Sequence, residues 1–104
     1  MTKYRVDVSE SAENDLRDIV NYIIMQLSAP LAAKTLLETL EKSLFGLEDM
    51  PYSHQLVRDE RLSILGYRKL IVKNYVIFFI INEDDKVVDI VRILYGRRNW
   101  LNIL

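Results

Sequence analysis

Residues 75–81 read Tyr-Val-Ile-Phe-Phe-Ile-Ile, a run whose one polar group is a phenol hydroxyl. β-Branched and aromatic residues in succession favour an extended strand, and in a strand alternate side chains point to opposite faces. One face of this strand carries Tyr75, Ile77, Phe79 and Ile81, and the other carries Val76, Phe78 and Ile80. Both must leave water, so a sheet built around the strand needs a cover on each side. A chain of 104 residues, half of them hydrophobic, has material for one such core. A single domain over residues 1–104 is expected.

The remaining elements follow from hydrophobic period. Tyr4, Val6 and Val8 alternate with Arg5 and Asp7, which predicts a first strand. Ser9 then offers an N-cap oxygen, Glu10 and Glu13 stand in the first turn, and Ala12, Leu16, Ile19, Val20, Ile23, Ile24 and Leu27 recur at three and four, predicting an amphipathic helix. Ser28-Ala29-Pro30 breaks it, and proline suits the first turn of a second helix with an apolar face of Ala33, Leu36, Leu37, Leu40, Leu44 and Leu47, ending at Pro51. So short a connection makes the pair an antiparallel αα-hairpin. After a loop over residues 51–57 the period becomes two. Strands are predicted at 67–72, 75–81 and 87–95, joined by Lys73-Asn74 and by Asn82-Glu83-Asp84-Asp85-Lys86. The fold class is α+β: a small twisted antiparallel sheet, made of the N-terminal strand and a three-stranded meander, packed on the helical hairpin. The hairpin covers one sheet face. The C-terminal Trp100-Leu101-Asn102-Ile103-Leu104, or a partner protein, is expected to cover part of the other.

Composition narrows the chemistry. With no cysteine there is no thiol nucleophile, disulfide or thiolate-bound metal, and the single histidine, His54, has no partners at metal-site or triad spacing. No metal and no cofactor are expected. No uninterrupted apolar run reaches the roughly 18 residues of a membrane span, so a soluble, cytoplasmic protein without membrane contact is predicted. The net charge of −1 conceals an asymmetry: residues 1–57 sum to −4 and residues 58–104 to +3. Arg68, Lys69, Lys73, Arg92, Arg97 and Arg98 fall in the basic half and are candidates for one patch that meets phosphate or an acidic partner.

The order strand, helical hairpin, meander and short basic tail resembles the RelE/ParE superfamily of toxins from bacterial type II toxin–antitoxin modules over essentially the whole chain, and the ParE-like members more closely. Three segments carry the resemblance: Ser9-Glu10-Ser11-Ala12-Glu13-Asn14-Asp15-Leu16, the stretch Gly66-Tyr67-Arg68-Lys69-Leu70-Ile71-Val72-Lys73-Asn74-Tyr75-Val76-Ile77-Phe78-Phe79, and Arg92-Ile93-Leu94-Tyr95-Gly96-Arg97-Arg98. It implies a growth inhibitor of the kind that serves plasmid stabilization. A cognate antitoxin would wrap it, and contact with operator DNA would run only through that antitoxin.

Two chemistries occur among such toxins. Ribosome-dependent mRNA interferases need several cations on the sheet face, because attack by a ribose 2′-hydroxyl builds negative charge on phosphorus. The resemblance offers Arg68, Lys69, Tyr95 and Arg98 as that catalytic set. However, Val76 stands where nucleases commonly carry arginine, and no tyrosine or histidine follows Arg98. ParE-like members instead bind and poison DNA gyrase, which matches the hairpin here, the Gly-x-Arg ending and the modest charge. Inhibition of gyrase is therefore the expected action, with mRNA cleavage on the translating ribosome or a non-toxic binding homologue as alternatives. Binding of target or antitoxin is assigned to Arg68, Lys69, Lys73, Tyr95, Arg97, Arg98 and Trp100. Arg92, inside an apolar strand, is expected to pair with a carboxylate such as Asp18 or Glu13, and Glu38–Lys42 is an exposed i,i+4 pair without chemical consequence.

Overall fold

The computed structural model describes residues 3–96 and 103–104. Strand β1 (Arg5–Val8) leads into helix α1 (Glu10–Gln26), then α2 (Pro30–Gly46), a 3₁₀ turn (Pro51–Ser53), a short helix α3 (Glu60–Ile64), and strands β2 (Arg68–Val72), β3 (Tyr75–Asn82) and β4 (Val87–Tyr95). Strand order in the sheet is β1-β4-β3-β2. The meander β2–β3–β4 is antiparallel, whereas β1 lies parallel to β4, with Arg5 opposite Val87 and Val8 opposite Ile90. The sheet is thus mixed rather than antiparallel throughout. The helical hairpin acts as the crossover that a parallel pair requires.

Both faces of β3 are buried, as its composition demands. On one side Ile77, Phe79, Val88, Ile90 and Ile93 pack against Ala12, Leu40, Leu44 and Leu47 of the hairpin. On the other, Val76, Phe78 and Leu94 meet Val57 and Leu62, with Tyr67, Ile103 and Leu104 against them. The C-terminal residues expected as cover therefore contribute through Ile103 and Leu104. The other described members of the second cover come from residues 57–67, whose helix α3 the hydrophobic period does not announce. Asp59 caps it, accepting from Leu62 N–H at 3.1 Å, and Gly66 closes it at φ 88°, where a side chain would be strained. Helix α2 stops at Gly46, short of Pro51, because Leu47 turns inward as the C-cap and is buried.

One irregularity joins the layers. In the β3–β4 ladder Phe78 is opposite Arg92 but Phe79 is opposite Ile90, so Val91 is the extra residue of a bulge. The start of α1 takes up the backbone groups released there. Ser9 N–H donates to Ile90 C=O at 3.0 Å, and Ser9 Oγ–H donates to Val91 C=O at 2.9 Å. That same Oγ accepts from Ala12 N–H as the helix cap. Asp15 accepts from Ile93 N–H at 2.9 Å and from Arg92 Nε and Nη2 at 2.7 and 2.8 Å. The partner of Arg92 is therefore Asp15, not Asp18 or Glu13. Asp15 stands three residues after the buried Ala12, on the inward stripe of α1, whereas Glu13 and Asp18 face solvent.

Candidate functional site

The sheet has two chemically different ends. At the end where β3 starts and β4 finishes, Lys73 turns the chain at φ 55° and Asn74 follows. Gly96 N–H donates to Asn74 C=O at 2.8 Å. A Cβ on Gly96 would stand 3.3 Å from that oxygen, so glycine permits the close exit of the chain. Tyr75 is opposite Tyr95 in the ladder, with ring centroids 5.8 Å apart at 56°. Helix α1 passes over this corner and brings Asp18, Ile19 and Tyr22 to it. Together with Asn74, Tyr75 and Tyr95 they line a cavity of about 520 Å³. Burial, then the neighbouring Tyr95 and Tyr22, raises the Tyr75 phenol above its ordinary value, so at neutral pH it is a hydrogen-bond donor and not a base. A second hollow of about 230 Å³ shares Asn74, Tyr75 and Tyr95 and continues to Ile71, Lys73 and Val76.

The opposite end holds Arg68 and Lys69. Arg68 donates from Nη1 to His54 C=O at 2.6 Å, and its guanidinium lies 5.0 Å from the centre of the Tyr52 ring. Tyr52 and Tyr4 both donate to Glu83 Oε2, at 2.9 and 2.7 Å, while Lys86 pairs with Glu83 Oε1 and stacks on Tyr4. The bonds from Lys86, Tyr4 and Tyr52, in that order, hold the Glu83 carboxyl down to about 2 and push both phenols up. This cluster ties the entry to β1, the 3₁₀ turn and the β3–β4 hairpin together. Arg68 is engaged at its edge. Lys69 donates its backbone N–H to Gln55 C=O at 3.2 Å and lines a shallow hollow of about 240 Å³ with His54 and Ile71.

The expected site residues thus separate. Arg68 is opposite Phe79, whereas Tyr95 is opposite Tyr75, four residues along β3 or roughly 13 Å at about 3.3 Å per residue. Lys73 and Tyr95 share a hollow; Arg68 and Lys69 lie outside it. Arg97, Arg98 and Trp100 lie outside the described residues. Val76 is 9% exposed and sits in the apolar cluster with Phe78 and Leu94. Asp18, Tyr22, Asn74 and Tyr75 were not among the expected site residues. The i,i+4 spacing of Asp18 and Tyr22 puts them on one helix face, but that face meets β3 only in the folded molecule. Among the described residues no three His, Cys, Asp or Glu side chains are grouped to hold a metal ion, and no helix is long and apolar enough to cross a membrane.

The family model described as the ParE toxin of the type II toxin–antitoxin system parDE matches residues 6–100. Solved structures share the fold. The chromosomal ParDE toxin–antitoxin system of P. aeruginosa aligns with a TM-score of 0.72 at 18% identity, covering 89% of this chain and 96% of that one. The toxin–antitoxin complex RelBE2 of Mycobacterium tuberculosis aligns at 0.69 and 20% identity, covering 91% and 93%. A mutant of the E. coli toxin RelE in its free state aligns at 0.67 and 15%, covering 97% and 92%. A search of curated proteins gives no match.

Proposed function

The chain belongs to the ParE toxin family of type II toxin–antitoxin systems, and from that premise we propose that it inhibits growth as a stoichiometric ligand of DNA gyrase, held in check by a cognate antitoxin. The observation that carries this reading is the apolar filling of the centre of the sheet face opposite the hairpin, with Lys69 and the exposed Ile71 at its β2 margin. Val57, Leu62, Val76, Phe78 and Leu94 occupy that centre, where a metal-free nuclease would need converging cations to stabilise a phosphorane. Arg68 stacks on Tyr52 at one end, Lys73 stands at the other, and Arg92 is bound to Asp15. Such a surface is suited to binding a protein rather than to cleaving a phosphodiester.

The other reading, mRNA cleavage on the translating ribosome, draws on the pairing of Lys73 with Tyr95 in one hollow. Removing a single electrostatic donor from such a site typically costs about 10² to 10³ in rate, so a site this sparse would be feeble. Inducing the chain in growing bacteria separates the two. Gyrase poisoning predicts a DNA-damage response with intact messages, suppressed by co-expressing a cognate antitoxin. Prompt cuts inside translated codons, without DNA damage, would contradict it.

A further inference from the structure

The tyrosines of this fold divide into two sets. Tyr4 and Tyr52 spend their hydroxyls on Glu83. Tyr22, Tyr75 and Tyr95 converge on the cavity at the other end of the sheet with no side-chain hydrogen bond to any described residue, and the same is true of Asp18. Tyr22 and Tyr95 are 58% and 39% exposed, so their rings are open to a ligand. Three aromatic rings and one carboxylate without a side-chain partner among the described residues make a negative, partly apolar receptor. Aromatic faces attract cations, most strongly where water is partly excluded, and the carboxylate fixes the sign.

We infer that this cavity receives an arginine side chain carried on an extended segment of a protein partner. A guanidinium is planar, stacks on aromatic rings and presents a fork of N–H donors to a carboxylate and to phenol oxygens; an ammonium does so less well. A protein segment, rather than a free cation, is favoured by what adjoins the cavity. The second hollow continues past Tyr75 and Tyr95 over Ile71 and Val76 to Lys73. A chain with arginine against Asp18 would therefore lay apolar residues on Ile71 and present an acidic side chain to Lys73. The inference rests on the reading of this chain as a protein ligand, but its test needs neither gyrase nor antitoxin, so the two fail separately.

The probe is a blocked Arg-Val-Glu tripeptide titrated into the full chain, with the tyrosine ring signals followed by NMR. A control peptide carries neutral citrulline in place of arginine. Saturable shifts of Tyr22, Tyr75 and Tyr95 are expected, with Tyr4 and Tyr52 unmoved. Citrulline, or Asp18→Asn in the protein, should weaken binding about three- to fivefold, the loss of one solvent-exposed ionic contact. Asp18 and Tyr22 are exposed on α1, and Tyr22→Ala gives a second variant should either substitution disturb folding. Equal binding of the citrulline peptide, no saturable shift, or shifts centred on Tyr52 would overturn the assignment.

Discussion

At the scale of single residues, Asp15 ties helix α1 to strand β4. It satisfies a backbone N–H of β4 and both near nitrogens of Arg92 while only 9% exposed itself. Asp15→Ala would leave Ile93 N–H without an acceptor and Arg92 without a counter-charge. The expected loss is about 2–4 kcal/mol, below the fully buried case because the Arg92 side chain keeps 24% of its exposure. Urea unfolding measures it, and Asp15→Ala/Arg92→Ala should cost less than the two single losses added. Glu83 makes the opposite kind of contribution, exposed and pH-dependent. Its carboxyl titrates at about 2 in the folded protein against an ordinary 4.5. The folded state therefore prefers the ionised form, and the stabilisation is present above pH 4.5 and fades as pH falls toward 2. The melting-temperature gap between wild type and Glu83→Gln should be constant near neutrality, narrow below pH 4.5 and close near pH 2, with salt shrinking it throughout. The sequence made the need of Arg92 for a carboxylate legible, but not which one. Choosing among Glu13, Asp15 and Asp18 requires the rotation of α1 about its axis, which the bulge at Val91 and the cap at Ser9 fix.

At the scale of elements, the bulge in β4 and the first turn of α1 form one unit. Ser9→Ala removes the cap on Ala12 N–H and the donor to Val91 C=O together. A loss of about 1–2 kcal/mol is expected in thermal or urea unfolding; a loss of a few tenths would show that water replaces both bonds. The hairpin and the meander were legible because their periods extend over many residues. Helix α3 was not, since five residues give too little period to read. The parallel pairing of β1 was equally hidden, because strand order depends on where the hairpin returns the chain. The doubled apolar character of β3 nevertheless announced that a second cover must exist, and Leu62, Val57, Ile103 and Leu104 answer that need.

At the scale of the whole molecule, the described members of the expected basic set, Arg68, Lys69 and Lys73, do not line one hollow. Arg68 lies at one end of the sheet and Lys73 at the other, and between them β2 presents Lys69 and the exposed Ile71. What the sequence carried of function was therefore the family, legible in residues 9–16, 66–79 and 92–98 taken together. The tyrosine cavity escaped it because its members come from α1 and from the β3–β4 corner, more than fifty residues apart in the chain. The hairpin also leaves Met25, Leu27 and Leu31 exposed near its tip, apolar surface of the kind that marks a protein contact. If this chain is a gyrase ligand with an inert sheet face, the purified protein should trap gyrase on cleaved plasmid DNA in proportion to toxin added. Message on translating ribosomes should stay intact in the same preparation. Ribosome-dependent cleavage of message, with gyrase turning over normally, would contradict the account.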